Sequence, residues 1–437
     1  MNNFEVFIGL DFGTSLSKIC YNVKGDLYVY KMNDSPFIPT EIYYSIDNKE
    51  VFLNKDTYSQ HLIPVKYFKY SMVFESLFNE QIMKNLPSKF TYKQINILFS
   101  IYFLASVIKE VKQEIINKHY KNTDINDIVW EINMSAPINN YHGEIYELYN
   151  DVLNSAYILS NEFLIKNIHI NRINETYNKV KNGSLKKNDF LSIHPELFIE
   201  AVYLTNNNIF GLDFGSYMIM DIGGGTVDIG ILWKREDGNR IFYDLVVINI
   251  IKYGVEKIID EMENMGIKRE DANIILEYGN NNKKLITIND FFIKNIKKMI
   301  DIEANIPKVG IDNIINKRIY YSGGGCNLLW YKNIVHSIKN NKITEDKIPI
   351  KSLPLNYNNN DVHRLIIAME LARPVDSIEI NMGSTIIISG EKIIPEDDFS
   401  KIEIKETNII RPKTTQKSWT YNDLQDRQKE QYGDDPI

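Results

Sequence analysis

The sequence MIMDIGGGTVD, residues 218–228, joins an apolar run to three consecutive glycines. The run at residues 217–222 predicts a buried strand. Glycines can adopt positive φ angles, and without a Cβ they let backbone N–H groups converge on a phosphate chain. The hydroxyl of Thr226 adds a donor, and Asp221 can hold a hydrated Mg²⁺ or orient a water. The stretch therefore predicts a phosphate-binding turn.

Two further segments have the same pattern of an apolar strand followed by a turn of small residues. They are FIGLDFGTS at residues 7–15, with Asp11 just ahead of the turn, and IYYSGGG at residues 319–325. One glycine turn alone is typical of an ordinary tight turn, but three after buried strands are a specific sign of nucleotide binding. The candidate nucleotide contacts are Gly13, Thr14, Ser15, Gly223, Gly224, Gly225, Thr226, Gly323, Gly324 and Gly325.

The size, net charge and cysteine content of the chain limit the classes of protein to which it can belong. With 437 residues it exceeds the size at which one hydrophobic core stops growing, so we expect two lobes or more. The formal net charge of -7 argues against broad nucleic-acid binding, which needs a basic face, and we expect no direct contact with nucleic acid. The two cysteines, Cys20 and Cys326, form no disulfide framework or zinc-ligand spacing and suit a reducing compartment.

No stretch of the sequence predicts a membrane segment. The N-terminus lacks the basic region of a signal peptide and continues directly into a strand. The apolar stretch at residues 97–108 is shorter than the roughly twenty residues that span a bilayer. Its apolar positions continue at helical spacing as far as Ile115, which predicts a buried helix face. We therefore expect a cytoplasmic protein without membrane contacts.

The ordered trio of turns resembles the phosphate-1, phosphate-2 and adenosine motifs of the actin, DnaK-type heat-shock chaperone and sugar-kinase superfamily. The middle motif, at residues 221–228, looks like the DnaK-type and ParM-type form. The resemblance covers residues 4–372 in order. It implies an α/β, two-lobed actin-like (ribonuclease H-like) ATPase fold with a nucleotide cleft between the lobes, and ATP with Mg²⁺ as cofactors.

The same resemblance assigns roles to single residues. Asp11 and Asp221 match the aspartates that bind the metal through water, and the first two turns match the clamps around the β- and γ-phosphates. Glu196, in His194-Pro195-Glu196, matches the glutamate that positions the attacking water in the chaperones. The third turn matches the loop under the adenosine.

Two lysines compete for the catalytic position. Lys18, three residues after Ser15, matches the lysine that contacts phosphates in actin and ParM-type proteins. Lys69 resembles the catalytic lysine of the chaperones, which comes from a different segment. An ammonium at either place would stabilise charge that develops on the γ-phosphoryl oxygens. The alternative for each lysine is an ordinary surface charge.

The predicted organisation follows from the motif positions. Lobe I covers residues 1–205, with a polar insertion at about 161–190, and lobe II covers residues 206–374, with a helix at about 361–372 that returns to lobe I. Residues 375–410 form a short extension, and the polar tail at 411–437 is expected to be disordered. The polar insertion has no counterpart in the chaperones.

The sequence favours a DnaK-like nucleotide switch that acts on an unidentified protein partner. No β-sandwich peptide-binding domain follows the predicted ATPase lobes, and the interval between the second and third turns is shorter than in chaperones. One alternative is a ParM-like actin homologue that assembles into filaments and segregates plasmid DNA. Another is a small-molecule kinase of the same fold, for which no base and no substrate pocket can be identified.

Overall fold

The structure, a computed structural model, describes residues 4–54, 62–74, 90–121, 123, 127–137, 143–162, 167–209, 215–237, 240–279, 286–305, 317–338, 343–350, 353–357, 361–374, 380–381 and 386–388. Its strands are β1 (Phe4–Asp11), β2 (Leu16–Val23), β3 (Asp26–Val29), β4 (Ile38–Pro39), β5 (Glu41–Ser45), β6 (Glu50–Phe52), β7 (Leu62–Lys66), β8 (Ile128–Ala136), β9 (Asn167–His169), β10 (Leu191–Pro195), β11 (Gly215–Ile222), β12 (Val227–Asp237), β13 (Arg240–Ile251), β14 (Lys317–Ser322), β15 (Ile343–Lys347), β16 (Ile380–Asn381) and β17 (Ile386–Ile388). Its helices are α1 (Phe68–Phe74), α2 (Tyr92–His119), α3 (Glu144–Ser160), α4 (Ile170–Lys181), α5 (Glu196–Asn206), α6 (Val255–Asn264), α7 (Arg269–Tyr278), α8 (Ile286–Asn305), α9 (Leu329–Ile338) and α10 (Ile366–Leu371).

Two large sheets share one topology. In the first, the strand order is β10-β8-β1-β2-β3, and in the second it is β15-β14-β11-β12-β13-β16. The first three strands of each sheet in chain order form an antiparallel meander, the fourth then pairs in parallel with the first, and the fifth pairs in parallel with the fourth. The same arrangement of five strands therefore occurs twice in the chain, although the sequence contains no repeat that predicts it.

The turn of the first meander follows directly from local chemistry. Lys24 has φ 57° and Gly25 has φ 91°, so both central residues of the two-residue loop are left-handed. A type I′ hairpin needs this conformation, and its twist matches that of the flanking strands. This turn joins the antiparallel strands β2 and β3 in a hairpin.

Two helices lie between the large sheets. Helix α10, within the range predicted to return to lobe I, packs against β1, β2 and β8, and a Cβ on Gly9 would overlap the Ala368 carbonyl. Helix α5 packs against α10, and its side chains join the apolar cluster of the second sheet, with Leu197 beside Tyr217 and Leu232. Helix α5 thus belongs to the second core, although the sequence boundary at residue 205 places it in the first.

The range predicted as an insertion has regular structure where it is described. Strand β9 pairs with β6 in a smaller sheet of order β7-β5-β6-β9, and α4 packs on α3 and α2. The extension predicted at 375–410 is described only at β16 and β17, which pair with β13. The tail at 411–437 lies outside the described residues.

One helix within the described ranges is long and apolar enough to cross a membrane by length and composition alone. This helix is α2, with 28 residues, and 83% of its most apolar window is buried inside the protein. A capping box between Thr91 and Gln94 starts it. A core helix passes the same test, so the feature carries no conclusion about a membrane.

Candidate functional site

The residues proposed from the sequence converge on one cleft. The cleft has a volume of about 230 Å³, and both large sheets contribute to its walls. All fifteen candidates line it: Asp11, Gly13, Thr14, Ser15, Lys18, Lys69, Glu196, Asp221, Gly223, Gly224, Gly225, Thr226, Gly323, Gly324 and Gly325.

Hydrogen bonds fix the first turn, and Asp11 just ahead of it lines the cleft. Asp11 ends β1, is 5% exposed, and accepts a 2.6 Å hydrogen bond from Lys18 Nζ. The two residues are directly opposite each other in the β1–β2 ladder, which brings their side chains to one face. The hydroxyl of Thr40 donates to the Gly13 carbonyl at 2.9 Å and its amide to the Ser15 carbonyl at 2.9 Å, so the turn has a fixed shape.

The second turn faces the first at close range. The amide of Gly223 donates to the Thr226 carbonyl at 2.9 Å, which closes the turn between β11 and β12. A Cβ on Gly225 would lie 2.8 Å from Thr14 Oγ1, and one on Gly224 would overlap Ser15 Oγ. Glycine is required at both positions because the two turns approach each other too closely for a side chain.

The third turn lies beside the second. Ser322, the last residue of β14, is opposite Asp221 in the parallel β11–β14 ladder. Gly323 has φ +80°, and a Cβ there would overlap the Asp221 carboxylate. The hydroxyl of Ser322 donates to Glu200, a buried carboxylate on α5 that also lines the cleft. The ends of β11 and β14 therefore bring two glycine turns and two carboxylates together.

Lys69 is buried and Lys18 is partly buried, and each forms an ion pair, so neither is an ordinary surface charge. Lys18 pairs with Asp11 and Lys69 with Glu196 at 2.8 Å, and the lysine side chains are 12% and 6% exposed. Burial acts to lower the pKa of Lys69, but Glu196 and Asp11 raise it by more, so the net shift is upward and the ammonium stays charged. Both lysines line the cleft, so either of them is placed to occupy the catalytic position.

The position of Lys69 depends on an aromatic cluster under the first turn. The ring of Phe68 lies 6.3 Å from Phe12 and 5.7 Å from Phe103, measured between centroids, and Phe12 is the residue after Asp11. This packing fixes the start of α1 against β1 and α2. Lys69 Nζ in turn lies 5.7 Å from the Phe12 ring centroid, within the range of a cation–π contact.

The carboxylates of the site are close enough to oppose one another's ionisation. Burial raises the pKa of Asp221 to about 7, with further contributions from Glu196 and Asp11. Burial also raises the pKa values of Glu200 and Asp228, and Asp228 shares a side-chain hydrogen bond with Glu196. Such crowding of carboxylates favours a bound cation, which would relieve the repulsion.

The donor set fits a hydrated metal better than a directly coordinated one. Within the described part of the chain, no group of three Asp, Glu, His or Cys side chains is arranged to hold a metal ion. Mg²⁺ commonly keeps several waters and uses only one or two carboxylates together with substrate phosphates. Asp11 and Asp221, on the two opposing turns, fit that arrangement.

Some polar residues of the cleft or of its carboxylate cluster were not identified as functional from the sequence. His363 and Arg364 enter the cleft from a 3₁₀ turn, Val362–Leu365, and Glu256 enters from the first turn of α6. Asp228 was part of the quoted motif but received no role. Its place directly opposite Asp221 in the β11–β12 ladder is the signal that could have revealed it.

One comparison gives a match in sequence. A segment of 51 residues is 43% identical to the movement protein Hsp70h of Beet yellows virus. The match covers 12% of this chain and 8% of that protein, so most of both chains lies outside it. No protein-family model matches the chain. The match is to a homologue of the Hsp70 chaperones and is therefore consistent with the DnaK-type resemblance of the glycine turns.

Proposed function

We propose that this chain is a Mg²⁺-dependent ATPase with the two-lobed actin-like fold, and that it acts as an Hsp70-like nucleotide switch on a protein partner. The observation that carries the proposal is the convergence of three strand-ending turns on one cleft, where the turns of residues 13–15 and 223–226 face each other. Two sheets of the same topology supply these turns, as a duplicated two-lobed ATPase requires. The short match to an Hsp70 homologue supports the same class.

In this proposal, different residues of the cleft bind the nucleotide and promote its hydrolysis. The first and second turns hold the β- and γ-phosphates through backbone N–H groups and hydroxyls. Asp11 and Asp221 would hold Mg²⁺ through its waters, where the cation would supply neutralisation of charge on the phosphates. Glu196 orients the attacking water, and Lys69 stabilises charge that develops on the γ-phosphoryl group. The third turn lies under the nucleoside.

A nucleotide switch needs two arrangements of its lobes. Contacts between residues on the two sides of the cleft couple these arrangements to nucleotide binding. Lys69 comes from the first half of the chain and Glu196 from a helix packed on the second sheet. Tyr67 donates from the first half to Glu256 at 2.8 Å, and Glu256 also pairs with Arg269. A nucleotide that binds between the turns changes the balance of these contacts, so lobe closure reports its presence to a partner.

A filament-forming, ParM-like ATPase is the second candidate because Lys18 lies in the cleft on Asp11, where such proteins have their phosphate lysine. Filament assembly depends on matching surfaces at opposite ends of the molecule. Light scattering with Mg-ATP and with Mg-ADP separates the two candidates. A nucleotide-dependent rise in scattering supports filaments, and an unchanged signal supports the switch.

The test of the proposed activity is release of phosphate from ATP by the purified chain, with and without Mg²⁺. We expect turnover that requires the metal and is lost in Asp11→Asn. The matched control is Asp26→Asn, at the exposed end of the hairpin between β2 and β3, which should retain wild-type turnover. Absence of metal-dependent phosphate release from the wild-type chain would contradict the proposal.

A further inference from the structure

Arg364 differs from the other cations that line the cleft. The remaining two, Lys18 and Lys69, each pair with a carboxylate. Among the residues that the structure describes, no carboxylate forms an ion pair with Arg364, and its buried Nε has no hydrogen-bond partner. A buried N–H group without a partner is costly, and on a guanidinium the cost is larger still.

The guanidinium is nevertheless held in one place. Its central carbon lies 3.9 Å from the centroid of the Phe37 ring, which is a stacking distance. The backbone amide of Arg364 donates to the Asp361 carbonyl at 2.9 Å. In the neighbouring residue, His363 Nε2 lies 3.4 Å from Asn327 Nδ2. This contact joins the turn to the short 3₁₀ helix Gly324–Asn327. An arginine without an ion pair is thus fixed by stacking and by its backbone.

The fixed guanidinium lies above the third glycine turn. A Cβ on Gly324 would be 3.6 Å from Arg364 Nη2, and both residues line the cleft. Phe37 belongs to the first half of the chain and Gly324 to the second, so Arg364 stands between the two walls. A planar donor in this position suits an anionic oxygen on a bound ligand.

The position along the cleft indicates which part of a nucleotide this oxygen belongs to. This placement rests on the proposed function. In it the terminal phosphates lie where Thr14 and Gly225 approach each other, and the nucleoside lies at the third turn. The α-phosphate is the phosphate attached to the nucleoside, so it is the one nearest to the third turn and to the Arg364 guanidinium beside Gly324. We propose that Arg364 binds the α-phosphate of the nucleotide and thereby contributes to the affinity for mono-, di- and triphosphates alike.

The test is a set of dissociation constants measured on the full chain for adenosine, AMP, ADP and Mg-ATP. Arg364→Gln should weaken AMP, ADP and Mg-ATP by the same factor of ~10 or more, the size expected for a lost charge-assisted hydrogen bond. Adenosine, which has no phosphate, should bind as it does to the wild type. Arg364→Lys should fall between the two because it keeps the charge and loses the planar fork.

Two controls separate binding from structure. Arg373→Gln removes a nearby arginine that pairs with Glu370 and does not line the cleft, so nucleotide affinities should stay at wild-type values. The unliganded Arg364→Gln protein should unfold close to the wild-type midpoint, because it loses the stacking contact with Phe37 and also the cost of a buried guanidinium N–H without a partner. A lower midpoint with unchanged affinities would make Arg364 a structural residue and overturn the inference.

The remaining outcomes are also decisive. Equal weakening of adenosine and AMP would move the contact to the nucleoside and overturn the assignment to the α-phosphate. Wild-type affinities in Arg364→Gln, with nucleotide bound normally by the parent chain, would overturn the inference and leave the proposed function standing. Failure of the wild-type chain to bind any of the nucleotides would overturn both.

Discussion

Lys69 Nζ donates a 2.8 Å hydrogen bond to Glu196 Oε1, and the two side chains are 6% and 7% exposed. The lysine lies on α1 of the first half, and the glutamate is the first residue of α5, which packs on the second sheet. Asp228 shares a hydrogen bond with the same glutamate. One buried ammonium therefore compensates a group of carboxylates contributed by different elements.

The two lysines of the cleft should differ in their effect on ATP hydrolysis. We expect Lys69→Ala to slow phosphate release by about tenfold or more, as loss of one preorganised charge does. Lys18→Ala should slow it by less, because the proposed function assigns the catalytic position to Lys69. Single-turnover rates measured with saturating Mg-ATP decide between the two lysines. The reverse order of effects would favour the ParM-like candidate.

Loss of Lys69 should also destabilise the protein, and a second substitution can separate this effect from catalysis. Removing one partner of a buried pair leaves the other charge uncompensated and costs about 3–5 kcal/mol. We expect Lys69→Ala with Glu196→Gln to recover most of the unfolding free energy of the wild type while hydrolysis stays low. Urea unfolding of the two single variants and the double variant measures this coupling. Full additivity would show that the two residues do not interact in solution.

Asp221→Asn should separate nucleotide binding from hydrolysis. Asparagine has nearly the shape of aspartate, and the glycine turn after it is unchanged, so we expect nucleotide to bind. Hydrolysis should fall by about 2–4 kcal/mol of transition-state stabilisation, because one charge of the metal site is lost. Titration with ADP and steady-state turnover measure the two effects. Wild-type turnover would remove Asp221 from the mechanism, and failure to fold would make it a structural residue of the turn.

The close approach of the two phosphate turns can be tested with one methyl group. A Cβ on Gly225 would lie 2.7 Å from the Tyr70 ring and 2.8 Å from Thr14 Oγ1. Gly225→Ala should therefore push the turns apart and weaken Mg-ATP binding by about tenfold or more, the equivalent of 1.4 kcal/mol. Gly230→Ala is the matched control in β12, where the nearest atom is the flexible Leu245 side chain at 3.1 Å. Equal affinities in the two variants would contradict the approach of the turns.

Lys112 should make stability depend on pH at a site remote from the cleft. Burial lowers its pKa to about 7, well below the ordinary value of 10.5, and Asn161 and the Tyr157 ring surround the amine. A lysine with a lowered folded-state pKa destabilises the fold increasingly as the pH falls from about 10.5 to about 7. Lys112→Met should therefore raise the thermal midpoint at pH 7, and the gain should shrink towards pH 10.

The control for this prediction is Lys118→Met on the same helix, where the lysine is half exposed and pairs with Glu114. Its midpoint should stay within about 1–2 °C of the wild type, because exposed ion pairs contribute little. A gain in Lys112→Met that does not change between pH 7 and pH 10 would show that the amine is charged in the folded protein.

Much of the candidate site could be predicted because its residues lie next to one another in sequence. The motif at residues 218–228 contains a strand, a turn and two carboxylates, and short-range rules are sufficient to read it. Lys69 could be assigned only by resemblance, because its place in the cleft depends on packing between Phe12, Phe68 and Phe103. No local pattern encodes a contact between residues so far apart.

The parts that escaped prediction depend on tertiary contacts. Helices α7 and α9 have weak signals in the sequence, because α7 has only two buried side chains and α9 follows closely on the third glycine turn. Arg364 lies in a segment read only as a helix face, and its place above Gly324 follows from a short 3₁₀ turn before α10. The duplication of the sheets is likewise a matter of strand order, which the sequence does not repeat.

The central claim is that the cleft binds Mg-ATP, and the thermal midpoint of the purified chain tests it most directly. A ligand that binds only the folded state stabilises it by about 2.7 kcal/mol at a hundredfold excess over Kd. We expect Mg-ATP to raise the midpoint by several degrees, EDTA to remove most of the gain, and Gly225→Ala to show a smaller gain. An unchanged midpoint with ATP, ADP and other nucleotides, in the presence of Mg²⁺, would contradict the account.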